Sequence, residues 1–160
     1  MNYRTGIGID VHAFTKGRKL ILGGIEIPFE KGLAGHSDAD AVLHAITDAL
    51  LGSLALGDIG KLFPDSDNKY KNADSSFFLT EVYKLVKEKD YSLSNIDVVI
   101  ALQKPKISPY IERMRENIAS ILQVEMEQIS IKATTTERLG FVGREEGIAT
   151  FATVTVVKRS

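Results

Sequence analysis

The chain of 160 residues has three histidines, His12, His36 and His44, and each sits in an apolar or glycine-rich setting. In RTGIGIDVH, Ile7, Ile9 and Val11 alternate with Gly8, Asp10 and His12. A strand of period two places Asp10 and His12 on one face. His44 lies within GHSDADAVLHAITDALLGSLALGDIGKLFPDSD, Gly35 to Asp67. On a 3.6-residue helix Asp40, His44, Thr47 and Asp48 form one narrow stripe, with His36 just ahead of its start. Val42, Leu43, Ala45, Ile46, Ala49, Leu50 and Leu51 surround that stripe, so the helix is expected to be buried. Buried Asp and His need partners: each other, a metal or a charged ligand. If the helix packs on the strand, Asp10, His12 and His44 meet. Two imidazoles and a carboxylate suit zinc with a fourth position open, as in catalytic sites. Iron or manganese would suit the same ligands. The plainer reading is a chance D-x-H and hydrogen-bonded core histidines. Residue chemistry alone leaves both open. Asp48 either orients the His44 ring or only caps the stripe, and Asp40 has no assigned role.

A second group is Thr134-Thr135-Thr136-Glu137. Hydroxyls and free N–H groups at a strand end can hold phosphate oxygens, and Glu137 could hold a hard cation. The alternative is that threonine is simply a good strand residue. Lys104, Lys106 and Arg144 could neutralise phosphate or form a solvated rim. No phosphate-binding GxxxxGK[ST] occurs, and Gly6-x-Gly8 lies inside a strand rather than at a strand-to-helix turn.

Apolar residues make up 44%, charged residues 26%, and the net charge is −1. This balance gives no electrostatic reason to expect nucleic acid or an anionic membrane. Without cysteine, disulfides, thiolate nucleophiles and Cys-type zinc sites are excluded. No apolar run is long enough for a membrane span. Met1 leads straight into a strand, so a complete cytoplasmic chain without a leader is expected.

The positioning elements follow from periodicity. Strands are expected at Arg4–His12, Leu20–Leu22, Ile25–Ile27, Asp97–Leu102, Ile129–Thr136 and Ile148–Val157, with Ala13–Lys19 a basic loop and Gly23-Gly24 a hairpin turn. The first helix starts with Ser37 or Asp38 as its cap, and Gly57 to Asp67 forms a loop after it. A second helix is capped by Asp74 or Ser75 and runs to about Lys89. A third starts at Pro109 with Met114, Ile118 and Leu122 inward. The expected fold is an α+β single-domain sandwich, with a mixed β-sheet and helices on one face. The bare sheet face makes a neighbouring subunit plausible.

The segments GIGIDVHAF, LGGIEIPFEKGLAGHSDADAVLHAITDALLGSLALGDIGKLFPDSD, QKPK and KATTTERLGFVGREEGIA resemble the 2-C-methyl-D-erythritol 2,4-cyclodiphosphate synthase family, in its order and spacing from about Arg4 to Val157. The resemblance implies a phosphorus–oxygen lyase of non-mevalonate isoprenoid precursor synthesis. Its substrate would be 4-diphosphocytidyl-2-C-methyl-D-erythritol 2-phosphate and its products the cyclic diphosphate and CMP. By similarity, Asp10, His12 and His44 bind Zn²⁺ and Glu137 binds Mg²⁺ (or Mn²⁺), one of each per active site. Asp10 and His12 also border the substrate. His36 and Thr135 match transition-state stabilisers, with Ser37 beside the first. Asp58, Ile59, Gly60, Phe63, Pro64, Asp65, Ser66 and Asp67 match the methylerythritol segments. Leu102, Gln103, Lys104, Pro105, Lys106, Ile107 and Ser108, with Thr134, Thr135 and Thr136, match those that bind cytidine diphosphate. Phe141 and Arg144 match further ligand-contacting positions. The family is a homotrimer with active sites between subunits. Ala39 stands where the family often has Gly, and a helical first turn would accept either.

Such a reaction needs positioning and charge neutralisation more than a nucleophilic side chain, which fits the absence of a Ser, Cys or Lys nucleophile motif. A metal-dependent phosphohydrolase and a binding protein with structural zinc are the competing readings. The open coordination position argues against the latter.

Overall fold

The computed structural model describes residues 2–159. Its main sheet has five strands in the order β4-β1-β7-β5-β6. These are β1 (Tyr3–Lys16), β4 (Lys31–Leu33), β5 (Tyr91–Ala101), β6 (Ile129–Thr134) and β7 (Gly147–Lys158). Only β5–β6 is parallel, so the sheet is mixed. A separate hairpin pairs β2 (Leu20–Leu22) with β3 (Ile25–Ile27). β1 extends past His12 because Phe14, Thr15 and Lys16 pair with Leu33, Gly32 and Lys31. The expected loop thus shrinks to its Gly17–Lys19 end, and β4 was not foreseen.

Helix α1 (Ala41–Ser53) lies on β1 and β7, and α3 (Ser75–Glu88) and α4 (Ile111–Leu122) complete the helical layer. The α1 sequence is apolar on nearly every side, and all but His44, Asp48 and Gly52 of its residues are buried. Its approach to β1 depends on two glycines. A Cβ on Gly6 would collide with the carbonyl of Ala49, and one on Gly8 with that of Ala45. The Gly6-x-Gly8 pair therefore serves backbone-to-backbone packing, and it brings the His44 turn over Asp10 and His12.

The cap of α1 is Asp40, not Ser37 or Asp38. Its carboxylate accepts from Val42 and Leu43 N–H at 3.1 and 3.0 Å. It also accepts from Gly23 and Gly24 in the β2–β3 turn, at 2.9 and 2.6 Å. Full burial pushes this carboxyl up to about 6, with the Leu43, Gly24 and Gly23 N–H groups pulling the other way and Asp38 adding to the rise. Ala39 lies just outside the helix at φ 57°. It therefore occupies the left-handed region, which glycine tolerates better than alanine. The expectation that a helical turn accepts either residue does not hold at this position.

The sheet face away from the helices exposes Tyr3, Ile7, Ile9, Val11 and Phe151, with Ile7 64% exposed. These residues belong to β1 and β7, which pair along their length. An apolar band of this kind marks a contact surface. Among the described residues, no helix is long and apolar enough to cross a membrane.

Gly8→Ala should drive α1 off β1 and destabilise the fold by about 1–3 kcal/mol or more, the usual cost of overpacking. Chemical denaturation measures this; an unchanged midpoint would show that α1 does not rest on the strand backbone.

Candidate active site

Alternation along β1 puts Asp10 and His12 on the α1 side, and the glycine contact lowers His44 onto them. One ligand atom from each of the three lies within 4.8 Å of the others. His12 Nε2 is 2.8 Å from Asp10 Oδ2, and His44 Nδ1 is 3.3 Å from the same oxygen. Despite this, Asp10 Oδ2 and His12 Nε2 are buried with no aligned hydrogen-bond partner among the described residues. Buried polar atoms are rarely left in this state, and converging lone pairs are what a metal site requires. The far nitrogens are held: His12 Nδ1 lies 2.6 Å from the Ala34 carbonyl and His44 Nε2 2.7 Å from Ser75 Oγ. Anchoring the outer nitrogen aims the inner one, as metal-ligating imidazoles require. The donor set fits a divalent cation such as zinc.

The charges agree with this geometry. Burial pushes the Asp10 carboxyl up, but the His12 and His44 imidazoles more than cancel it and hold Asp10 below its ordinary range. Burial pushes His12 down, and the Asp10 carboxylate outweighs that and holds His12 above its ordinary range.

The three residues open into a cleft of about 210 Å³ that also takes in Gly35, His36, Ser37, Ile59, Gly60, Phe63, Asp65, Tyr70 and Phe78. His36 Nε2 is buried without a partner among the described residues. The Arg18 guanidinium clasps the backbone on either side of His36. It donates to Gly35 O at 2.7 Å and to Ser37 O. The Phe63 and Phe78 rings, 4.8 Å apart, together with Tyr70, form an aromatic floor. Within the expected loop is a short helix, α2 (Ile59–Leu62), capped by Asp58. Asp48 neither orients His44 nor merely caps a stripe: its Oδ1 accepts from Ile59 N–H at 2.7 Å and so pins α2 at the cleft. Pro64 and Ser66 are exposed outside the cleft lining, and Asp67 accepts from Lys69 N–H as the cap of the next turn.

The second group forms a separate cleft of about 360 Å³, lined by Leu102, Gln103, Lys104, Pro105, Lys106, Ile107, Ser108, Ala133, Thr134 and Thr135. Leu102 N–H donates to Thr134 O at 2.9 Å, tying the two segments together. Thr136 and Glu137 stand just outside this lining, and Glu137 Oε1 accepts from Thr135 Oγ1 at 3.2 Å. Both clefts lie at one end of the sheet, because Val11, Ala149, Ala101 and Thr134 form one cross-strand row. Three strand spacings separate β1 from β6, about 14 Å. Phe141 and Arg144 fall in neither cleft. They sit on or after a final helical turn, α5 (Gly140–Gly143), where Arg144 pairs with Glu146 at 2.8 Å.

Sequence reasoning missed Arg18, Tyr70, Ser75 and Phe78. Arg18 and Ser75 reach the site only through tertiary packing. Tyr70 carries no periodic signal, and Phe78 lies on the apolar face of its helix, which conceals its second role.

The YgbB family profile matches residues 3–157. The chain belongs to the YgbB family. It is 62% identical over 156 residues to the 2-C-methyl-D-erythritol 2,4-cyclodiphosphate synthase of Carboxydothermus hydrogenoformans, across 98% of this chain and 96% of that one. It is 57% identical over 157 residues to the enzyme of the same name from Geobacillus sp., across 98% and 99%. Among solved structures, Plasmodium falciparum IspF in complex with CDP superposes with a TM-score of 0.89 at 33% identity, covering 99% of this chain and 98% of that one. The bifunctional IspDF of Campylobacter jejuni superposes with a TM-score of 0.94 at 45% identity. That match covers 98% of this chain but spans only 42% of the bifunctional protein. The resemblance read from the sequence motifs thus holds at the level of the YgbB family.

A metal at this centre needs a neutral His12. Because Asp10 holds the His12 proton above the ordinary range, metal affinity should fall as pH drops from about 8 to about 6, with the loss beginning above the usual histidine midpoint of about 6.5. Chelator competition across that range measures this; a flat profile would remove His12 from the ligand set.

Proposed function

We propose that this chain is a cyclodiphosphate synthase: it converts 4-diphosphocytidyl-2-C-methyl-D-erythritol 2-phosphate to 2-C-methyl-D-erythritol 2,4-cyclodiphosphate with release of CMP. The supporting observation is the convergence of orphaned donor atoms from Asp10 and His12, beside His44, on a cleft in a YgbB-family fold. In this reading the chain is one catalytic domain working in the cytoplasm.

The 2-phosphate oxygen attacks the β-phosphorus of the same molecule. One P–O bond forms, the bond from that phosphorus to the bridging oxygen breaks, and the oxygen leaves with CMP. Asp10, His12 and His44 would hold zinc, and Glu137 would hold Mg²⁺ or Mn²⁺. Such cations neutralise phosphate charge and make the phosphorus more electrophilic. His36 Nε2, buried and unpartnered among the described residues, is available to donate to a phosphate oxygen, and the Thr135 hydroxyl would do the same from the second cleft by turning from Glu137 Oε1, to which it donates in the free chain. Ser37 borders the reacting end. Ile59, Gly60, Phe63 and Asp65 enclose the methylerythritol portion, and the 102–108 segment takes the cytidine. Bringing the two reacting phosphates together in one conformer supplies an entropic advantage, at most about 7–11 kcal/mol in ideal intramolecular cases.

The strands that carry the two clefts, β1 and β6, lie about 14 Å apart across the sheet of one chain. Catalysis between them is best served by a homotrimer, in which the second cleft of one subunit faces the metal centre of another. The exposed apolar band of Ile7, Ile9, Val11 and Phe151 is the surface such an assembly would cover. This working unit calls for no nucleic acid and no membrane.

Incubation with the diphosphocytidyl substrate should give CMP and a cyclic diphosphate, and EDTA should abolish turnover. A linear phosphate product would mean hydrolysis instead, and chelator-insensitive turnover would reject the metal reading. Ile9→Lys should give a folded monomer with little activity, as read by light scattering and circular dichroism. A fully active monomer would reject the shared site.

A further inference from the structure

The nitrogen of His44 that faces away from Asp10 does not meet solvent or a backbone carbonyl. It meets the hydroxyl of Ser75, 31 residues further along the chain, at 2.7 Å. Ser75 is fully buried at the start of α3. Its hydroxyl is not consumed by capping that helix, since Asp74 is the cap and accepts from Ser76 N–H at 2.8 Å. Instead the Ser75 hydroxyl donates to Asp38 Oδ1, and the Ser75 N–H donates to Asp38 Oδ2 at 3.0 Å. Asp38 Oδ1 also accepts from Asp40 N–H at 3.1 Å. One carboxylate thus ties the loop before α1 to the first residue of α3.

We infer that Asp38 and Ser75 form a hydrogen-bond relay that keeps the proton of His44 on Nε2, so that Nδ1 faces Asp10 with its lone pair free for metal. The reasoning is a matter of donors and acceptors. An ionised carboxylate can only accept. The single hydrogen of the Ser75 hydroxyl is therefore committed to Asp38, and the Ser75 oxygen presents only lone pairs to His44. An imidazole nitrogen facing such an oxygen must carry a hydrogen. The other nitrogen, Nδ1, stands 3.3 Å from Asp10 Oδ2, and that oxygen has no hydrogen-bond partner among the described residues, so in the neutral ring Nδ1 is the nitrogen left with the lone pair. The Ser37 hydroxyl lies 3.2 Å from the same His44 nitrogen and accepts from Ala39 N–H at 3.2 Å. It is the longer contact, and no carboxylate fixes its hydrogen, so it adapts to the tautomer that Ser75 imposes. His12 obtains the same orientation more simply. Its Nδ1 faces the Ala34 carbonyl at 2.6 Å, another pure acceptor, and its Nε2 is left toward Asp10.

Asp38 and Ser75 are positioning residues, because neither lines the metal corner itself. The inference rests on Asp10, His12 and His44 being a metal site, and the test separates the two. In ¹⁵N-resolved NMR of the metal-free wild-type protein at mildly alkaline pH, His44 should be protonated at Nε2. Zinc affinity, measured by chelator competition, should fall roughly 10- to 100-fold in Asp38→Asn and in Ser75→Ala, the range seen when the outer partner of a metal-bound histidine is lost. In Asp38→Asn the amide can donate, the Ser75 hydrogen is freed to turn toward His44, and the Nδ1-protonated tautomer should appear. A purely structural role in joining two helix starts would lower the melting temperature of both variants and leave zinc affinity and tautomer unchanged; that result would overturn the relay. Wild-type His44 protonated at Nδ1 would overturn it without any variant. A wild-type protein with no zinc affinity would overturn the metal site and the relay with it.

Discussion

Helix α1 touches β1 backbone to backbone at Gly6 and Gly8, and that contact sets where His44 sits relative to Asp10 and His12. Side chains at these two positions would have set the distance by their own packing and rotamers. With glycine, the separation is fixed by carbonyl against Cα, which hardly varies. The apolar remainder of α1 then stabilises the contact by burial rather than by specific bonds. The same two positions therefore serve core and chemistry. The strand contributes two of the three ligand candidates on its inner face and leaves the neighbouring inward positions empty so that the third can descend.

Within that frame the electrostatics oppose one another. Asp10 and His12 each lose solvation, which disfavours their charged forms, and each shifts the other back toward its charged form. A half-buried pair of this kind is poor evidence for stability, because desolvation offsets much of the Coulomb gain. Its atoms are also misaligned as hydrogen bonds, so little directional bonding repays the cost. An arrangement that is weak as an ion pair but convergent as a ligand set is easier to understand as chemistry than as packing. The enclosing aromatics point the same way. Phe63, Tyr70 and Phe78 lower the polarity around the cleft, which strengthens charge interactions inside it.

Much of this was legible in the sequence because the periods are simple. Strand alternation put Asp10 and His12 together with no tertiary knowledge, and the helical stripe separated His44 from the apolar face. Position 102–108 and the threonine run were found as segments, and they share a cleft because β5 and β6 are parallel neighbours. What stayed hidden depends on packing between distant elements. Lys31-Gly32-Leu33 carries no strand pattern, and its strand exists only because β1 offers an edge. Asp48 lies one turn from His44, a spacing that suggests a partner, yet it bonds the first N–H of α2 while His44 looks to Ser75 on α3. Helix periodicity says which residues share a face, not which neighbour each will meet. Ala39 illustrates the same limit, since a shift of the helix start from Ser37 or Asp38 to Asp40 turned an innocuous position into a left-handed one.

Asp40 is the feature with the widest reach. The neighbourhood of His44 is rich in carboxylates, and any of them might be expected to capture a divalent ion. Asp40 has its oxygens occupied by the N–H groups of Gly23, Gly24, Val42 and Leu43. Asp38 and Asp48 are likewise engaged by backbone donors. Asp10 Oδ2 alone among these four side chains is buried and unclaimed. Elimination among these four acids thus leaves Asp10 as the candidate ligand. Hydrogen bonding that builds the helix ends also occupies the competing acids, so folding itself narrows the candidate corner to Asp10, His12 and His44.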